Sequence, residues 1–137
     1  MAAPAATEVA VLQLVDRIQR SWQQGRPDDM AALLDPDITF VFPGFGMRLS
    51  GRDRLIESYR DFLAGAELRS YREERRNVVG GLDAALVEIA FDMTYARGGQ
   101  DWRAHGVELW ALERRGGSWI AFWRTMQELT EEPASSG

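Results

Sequence analysis

Three pairs of adjacent glycines, Gly80-Gly81, Gly98-Gly99 and Gly116-Gly117, divide the C-terminal half of the chain into runs of similar length. These runs, Glu67–Val79, Ala84–Arg97, Trp102–Arg115 and Ser118–Leu129, are rich in β-branched and aromatic residues. Paired glycines accept the positive φ angles of tight hairpin turns, so the pattern predicts a four-strand antiparallel meander. One face of such a sheet needs an apolar cover. The N-terminal half supplies it.

Thr7–Gln24 carries Val9, Leu12, Val15, Ile18 and Trp22 at helical spacing, with Asp16, Arg17 and Arg20 off that stripe. Thr7 is placed to cap the start of this helix and Gly25 its end. A short second helix is expected over Asp29–Leu34, burying Met30, Leu33 and Leu34 and stopped by Asp35-Pro36. Asp37–Pro43 alternates as a strand, with Ile38, Phe40 and Phe42 on one face and a Pro43-Gly44 corner after it. Ser50 and Asp53 have capping-box spacing for a long helix, Gly51–Ala64, that buries Leu55, Ile56, Tyr59, Phe62 and Leu63. Helices followed by a meander define an α+β class.

At 137 residues the chain reads as one domain with its core over residues 8–129. Residues 1–6 and 130–137 are small or polar and are expected to be disordered tails. No apolar run approaches the ~20 residues needed to cross a bilayer, and Met1–Ala6 lacks the features of a secretory signal. With no cysteine, thiol catalysis and zinc–cysteine sites are excluded, and a cytoplasmic location is the default expectation. A single histidine argues against a transition-metal site. Gly44-Phe45-Gly46 lacks the third glycine of a dinucleotide loop, so no cofactor is expected. The net charge of -5 disfavours a nucleic-acid partner. Arg69–Arg76, interleaved with Glu73 and Glu74, reads as a solvated strand.

The helix–helix–strand–helix–strands order, the Phe42-Pro43-Gly44 corner and the Ser50-Gly51-Arg52-Asp53 run resemble the nuclear transport factor 2-like superfamily. Within it the chain resembles the SnoaL-like and ketosteroid-isomerase-like proteins over about residues 8–129. The resemblance implies a cone-shaped barrel: a curved, mainly antiparallel sheet wrapped round three N-terminal helices, with a ligand cavity between. It also implies a homodimer. Isomerases, cyclases, dehydratases and non-enzymes share this fold, so no one reaction follows from it.

Alternation puts Val87, Ile89, Phe91 and Met93 on the cavity side of Ala84–Arg97. The strand order implied by the resemblance then turns His105, Val107, Leu109 and Ala111 inward, together with Ile120, Phe122, Arg124 and Met126. Ile18, Trp22, Phe40, Phe42, Tyr59 and Phe62 complete an aromatic cavity for a small hydrophobic molecule. The opposite face would carry Glu108, Trp110 and Leu112 beside Trp119, Ala121, Trp123 and Thr125. So much tryptophan on an outer face suggests a dimer interface, or cover by a loop or the C-terminal tail.

The catalytic groups of ketosteroid isomerases do not carry over. Phe42 stands at the position of the base, Ile18 near that of the first-helix tyrosine and Leu109 near that of the acid; only Tyr59 matches a supporting hydroxyl. The polar candidates are therefore His105, Arg124 and Tyr59. His105 is either an acid/base or a hydrogen-bonded structural residue. Arg124 either binds a ligand anion or forms an ion pair, with Glu128, Asp92 or Glu108 as partners. Tyr59 is a core residue with its hydroxyl at the cavity wall. Asp92 and Glu88 would reach the pocket only in a shifted register, and Asp53 reads as helix capping. The expectation is a pocket protein for a hydrophobic, aromatic or polyketide-like ligand. It would act as a cofactor-free isomerase, cyclase or dehydratase, bind without turnover, or serve as a dimerisation module filled by its own side chains.

Overall fold

The computed structural model describes residues 2–43 and 47–134. Helix α1 (Ala5–Gln23) starts before Thr7, so Thr7 is no N-cap. Its hydroxyl instead donates to the carbonyl of Gly81 at 2.8 Å, tying the helix to the first glycine pair. The buried stripe is Val11, Leu14, Val15, Ile18 and Trp22, and Val9 is exposed. A run of three-residue steps falls about 60° short of a full turn at each step, which carries Val9 away from the face that holds Val15.

A 3-10 helix, Pro27–Leu33, buries Met30 and Leu33 and leads directly into strand β1 (Leu34–Val41). Strand β2 (Arg48–Ser50) pairs antiparallel with the end of β1. The expected Gly44–Gly46 corner lies outside the described residues. Ser50 belongs to β2 and caps nothing; helix α2 (Arg52–Gly65) follows Gly51, whose φ of 116° suits only glycine. Four long strands complete the chain: β3 (Glu67–Gly80), β4 (Ala84–Arg97), β5 (Gln100–Arg115) and β6 (Ser118–Pro133).

The sheet order is β2-β1-β6-β5-β4-β3, with β1 parallel to β6 and every other pair antiparallel. With β2 and β3 as its edges the sheet curves without closing, and α1 and α2 pack against one face. No helix among the described residues is long and apolar enough to cross a membrane. The last strand runs through Thr130–Pro133, where a disordered tail was expected, because these residues pair with Trp102–His105. Arg97 adds a hydrogen bond to Glu131 at 3.0 Å, and the Tyr95 hydroxyl donates to the same carboxylate.

Strand β4 turns Val87, Ile89 and Phe91 to the helices as alternation predicts. Strand β5 has the opposite parity to the expected one. Ile89 pairs with Glu108 and Val87 with Trp110, so Glu108, Trp110 and Leu112 face the helices. His105, Val107, Leu109 and Ala111 therefore lie on the far face. In β6 the register shifts opposite Ala111 and Leu112, leaving Phe122 as the extra residue of a bulge. Across it, Trp123 stays on the far face with Ala111, whereas Ala121 joins the core and Trp119 packs against it. Ile120, expected inward, is opposite outward-facing Glu113. The outer tryptophan surface expected of Trp110, Trp119 and Trp123 thus reduces to Trp123, beneath the guanidinium of Arg48.

Candidate ligand-binding pocket

Between the helices and the sheet lies a pocket of about 230 Å³. The second half of α1 contributes Gln19 and Trp22, α2 contributes Ser58, Tyr59 and Phe62, and the segment after β1 contributes Phe42 and Pro43. The sheet floor is Tyr71 of β3, Phe91 and Met93 of β4, Glu108 of β5, and Arg124, Met126 and Leu129 of β6. Trp22 is the hub of the aromatic wall. It stacks on Tyr59 at 5.6 Å between ring centroids and meets Phe62 and Tyr71 edge-on at 6.3 and 5.5 Å.

A directed chain of hydrogen bonds runs through this apolar wall. Trp22 Nε1 donates to Gln19 Oε1 at 2.7 Å, and Gln19 Nε2 donates to Glu108 Oε1 at 2.7 Å. From the other side Arg124 Nε and Nη2 both donate to Glu108 Oε2, at 3.1 and 2.8 Å. The two charged side chains are only 13% and 5% exposed, and each makes burial of the other tolerable. The Arg124 guanidinium also stands over two rings, its Cζ 5.8 Å from the centroids of both Tyr59 and Trp110. Burial works against its charge, but Tyr59 and Glu108 outweigh that and hold Arg124 more firmly protonated than a free arginine.

Among the described residues the buried hydroxyl of Tyr59 has no hydrogen-bond partner, nor do the indole N–H groups of Trp102 and Trp110. Burial pushes the Tyr59 hydroxyl up to about 12, Arg124 pulls it down and Glu108 pushes it up. Tyr71 donates to Glu73 at 3.2 Å; burial and then the charges of Glu108 and Glu73 raise its pKa. Both carboxylate oxygens of Glu108 are engaged, whereas a guanidinium has five N–H groups and an amide two. The side-chain groups left unspent around Arg124 are therefore chiefly donors.

Of the sequence candidates, Tyr59, Arg124, Trp22, Phe42, Phe62, Phe91 and Met126 line the pocket together. Ile18 and Phe40 are buried in the core and do not line it. Val107 and Leu109 are on the far face, and Phe122 is spent on the bulge. His105 is also on the far face, opposite Asp92 and Thr130, and cannot serve as an acid or base in the pocket. Asp92 is bound there by Arg103 at 2.6 and 3.1 Å, and chiefly that hydrogen bonding holds its carboxyl below the usual range. Asp53 makes no side-chain cap at α2. Sequence reasoning missed Gln19 and Tyr71, and it assigned Glu108 to the outside. The signal for Glu108 was Arg124 itself, since an arginine on an apolar wall requires a counter-charge. Among the described residues no three His, Asp or Glu side chains converge as a metal-ligand set.

A family model described as a SnoaL-like domain matches residues 15–122. A ketosteroid isomerase-like protein from Erwinia carotovora atroseptica is 19% identical with a TM-score of 0.71, over 93% of this chain and 95% of that one. A protein from Novosphingobium aromaticivorans, provisionally described as a scytalone dehydratase, is 14% identical at a TM-score of 0.75, covering 91% and 87%. A nuclear transport factor 2-like protein of unknown function from Pseudomonas putida is 16% identical at 0.67, covering 90% and 87%. At these identities the likeness speaks for the fold alone. The search of curated proteins finds no match.

Proposed function

The chain belongs to the SnoaL-like family, and we propose that this member binds a small, mainly apolar molecule through an oxygen acceptor held by Tyr59 and Arg124. The observation that carries this reading is the buried, unpartnered Tyr59 hydroxyl in an aromatic pocket wall next to a guanidinium with spare N–H groups. A buried donor without a partner costs roughly 1–3 kcal/mol, which an incoming acceptor relieves. An engineered cavity of about 150 Å³ takes up benzene. A pocket of 230 Å³ therefore suits one substituted ring. That volume also speaks against a cavity filled by the protein's own side chains.

Binding is better supported than proton abstraction. Phe42 occupies the place of a first-strand base, His105 is on the other side of the sheet, and Glu108 already accepts from three N–H groups. A thermal-shift series of alkylbenzenes against phenyl ketones, on wild type and Tyr59→Phe, tests the reading. A ligand at a hundred times its dissociation constant adds roughly 2.7 kcal/mol, or several degrees for a domain this size. The ketones should shift the wild type more than the hydrocarbons, and Tyr59→Phe, which leaves only the Arg124 donors, should reduce that difference. Equal shifts from both series would remove the assigned role of the hydroxyl.

The protein is also proposed to form a homodimer through the far face of the sheet. Half-buried Val107, Leu109, Ile120 and Trp123 give that face the apolar character of an interface. A light-scattering mass of one chain at micromolar concentration would refute it.

A further inference from the structure

We infer that Glu108 sets the charge selectivity of this pocket, admitting uncharged oxygen acceptors such as ketones and amides and rejecting carboxylates. The inference rests on the pocket reading above. An arginine in an apolar wall ordinarily attracts anions, because its N–H groups can grip a carboxylate in pairs. Here the edge formed by Nε and Nη2 is already closed on Glu108 Oε2.

The two charges also cancel. Arg124 is the one cation and Glu108 the one anion among the described residues that line the pocket. Gln19, which might have offered an acceptor, spends its carbonyl on Trp22 and turns its amide to Glu108. A ligand carboxylate would thus give up its water for a site of no net charge, close to the carboxylate of Glu108. Burying an ion without net compensation is strongly unfavourable. A ketone or amide oxygen takes the same donors, the Tyr59 hydroxyl and the spare Arg124 N–H groups, without that cost.

Three ligands of one shape and different charge or acceptor strength, acetophenone, benzamide and benzoate, test the inference with toluene as the apolar reference. Binding is followed at neutral pH by titration calorimetry and by tryptophan fluorescence, to which Trp22 contributes from the pocket wall. Acetophenone and benzamide should bind wild type about tenfold or more tightly than benzoate, the ratio that 1.4 kcal/mol produces. Glu108→Gln keeps an acceptor for Arg124 but removes the opposing charge, and should move the preference toward benzoate by about tenfold or more. Benzoate binding wild type as tightly as acetophenone would overturn the charge selectivity while leaving the pocket reading intact. An unchanged ratio in a folded Glu108→Gln protein would do the same. If that variant does not fold, the wild-type ratio decides alone. If none of the four compounds binds, the pocket reading itself fails and this inference with it.

Discussion

Arg124 and Glu108 meet diagonally across neighbouring strands: Arg124 is paired with Trp110, Glu108 with Met126, and two N–H groups of the arginine converge on one carboxylate oxygen. Diagonal neighbours in an antiparallel pair are close enough for long side chains to reach each other. The contact fixes both ends of a charge pair inside an otherwise aromatic wall. Gln19 and Trp22 extend it to α1, so the same network joins helix to sheet.

The pair's energetic signature is asymmetry between single and double replacement. Arg124→Met leaves Glu108 buried without a counter-charge and should cost about 3–5 kcal/mol. Arg124→Met combined with Glu108→Leu removes both charges and should recover most of that loss. Urea unfolding of the three proteins measures it. If the double variant is no more stable than the single one, Glu108 is not held in place by Arg124.

Tyr59 should be visible at alkaline pH. Its folded pKa of about 12 lies above the value of 10.0 for an exposed tyrosine. The unfolded chain therefore loses this proton first as pH rises. The stabilising contribution is complete below pH 10 and is lost as pH rises through the folded pKa. Tyr59→Phe should flatten the fall in stability above pH 10 and remove a late step from the tyrosinate absorbance titration. At neutral pH the same change removes an unpartnered hydroxyl, so stability should hold or rise by about 1 kcal/mol while ketone affinity falls. A variant that is less stable at neutral pH would mean that the hydroxyl has a partner.

The fold was largely legible, and the failures have local causes. Glycine pairs and the alternation of Val87, Ile89 and Phe91 fixed the meander and the inner face of β4. Strand β5 is apolar on both sides, Val107, Leu109 and Ala111 against Trp110 and Leu112, so period-two alternation could not choose between them. Glu108 then looked like the mark of a solvent face. The bulge at Phe122 was equally invisible: it leaves Arg124 and Met126 inward as predicted but reverses Trp119 and Ile120. Such a bulge depends on how two strands match in length, a property that neither strand carries alone. The pocket's aromatic lining was therefore readable; its anion was named among three candidate partners of Arg124 but assigned to the opposite face of the sheet.

His105→Ala should leave ligand binding unchanged. The histidine is on the sheet face away from the pocket, between Asp92 and Thr130, and is not among the residues that line the pocket. Affinity for acetophenone, measured by calorimetry, should agree with wild type within about twofold, since substitutions remote from a site act on it weakly. A tenfold loss would place His105 in communication with the pocket and reopen it as a functional residue. The oligomeric state of the same variant is the more sensitive readout, because His105 belongs to the face proposed for dimerisation.

Gly106→Ala offers a prediction in which the sign alone is decisive. Replacing glycine by alanine within a strand ordinarily stabilises it, by about 0.5–1 kcal/mol, by reducing the freedom of the unfolded chain. At Gly106 the added Cβ would lie 2.1 Å from the Glu128 carbonyl oxygen and 3.2 Å from Leu129 Cα. These are backbone atoms in β6 where the register shifts again, so they cannot rotate out of the way as a flexible side chain would. The strand must move, and strain of this kind costs roughly 1–3 kcal/mol. Leu129 lines the pocket, so the displacement should also weaken ligand binding. Gly65→Ala, at the end of α2 with nothing within 4 Å of the new Cβ, serves as the control and should be neutral or stabilising. A stabilised Gly106→Ala protein would mean that β5 and β6 are further apart at this bulge than their register requires.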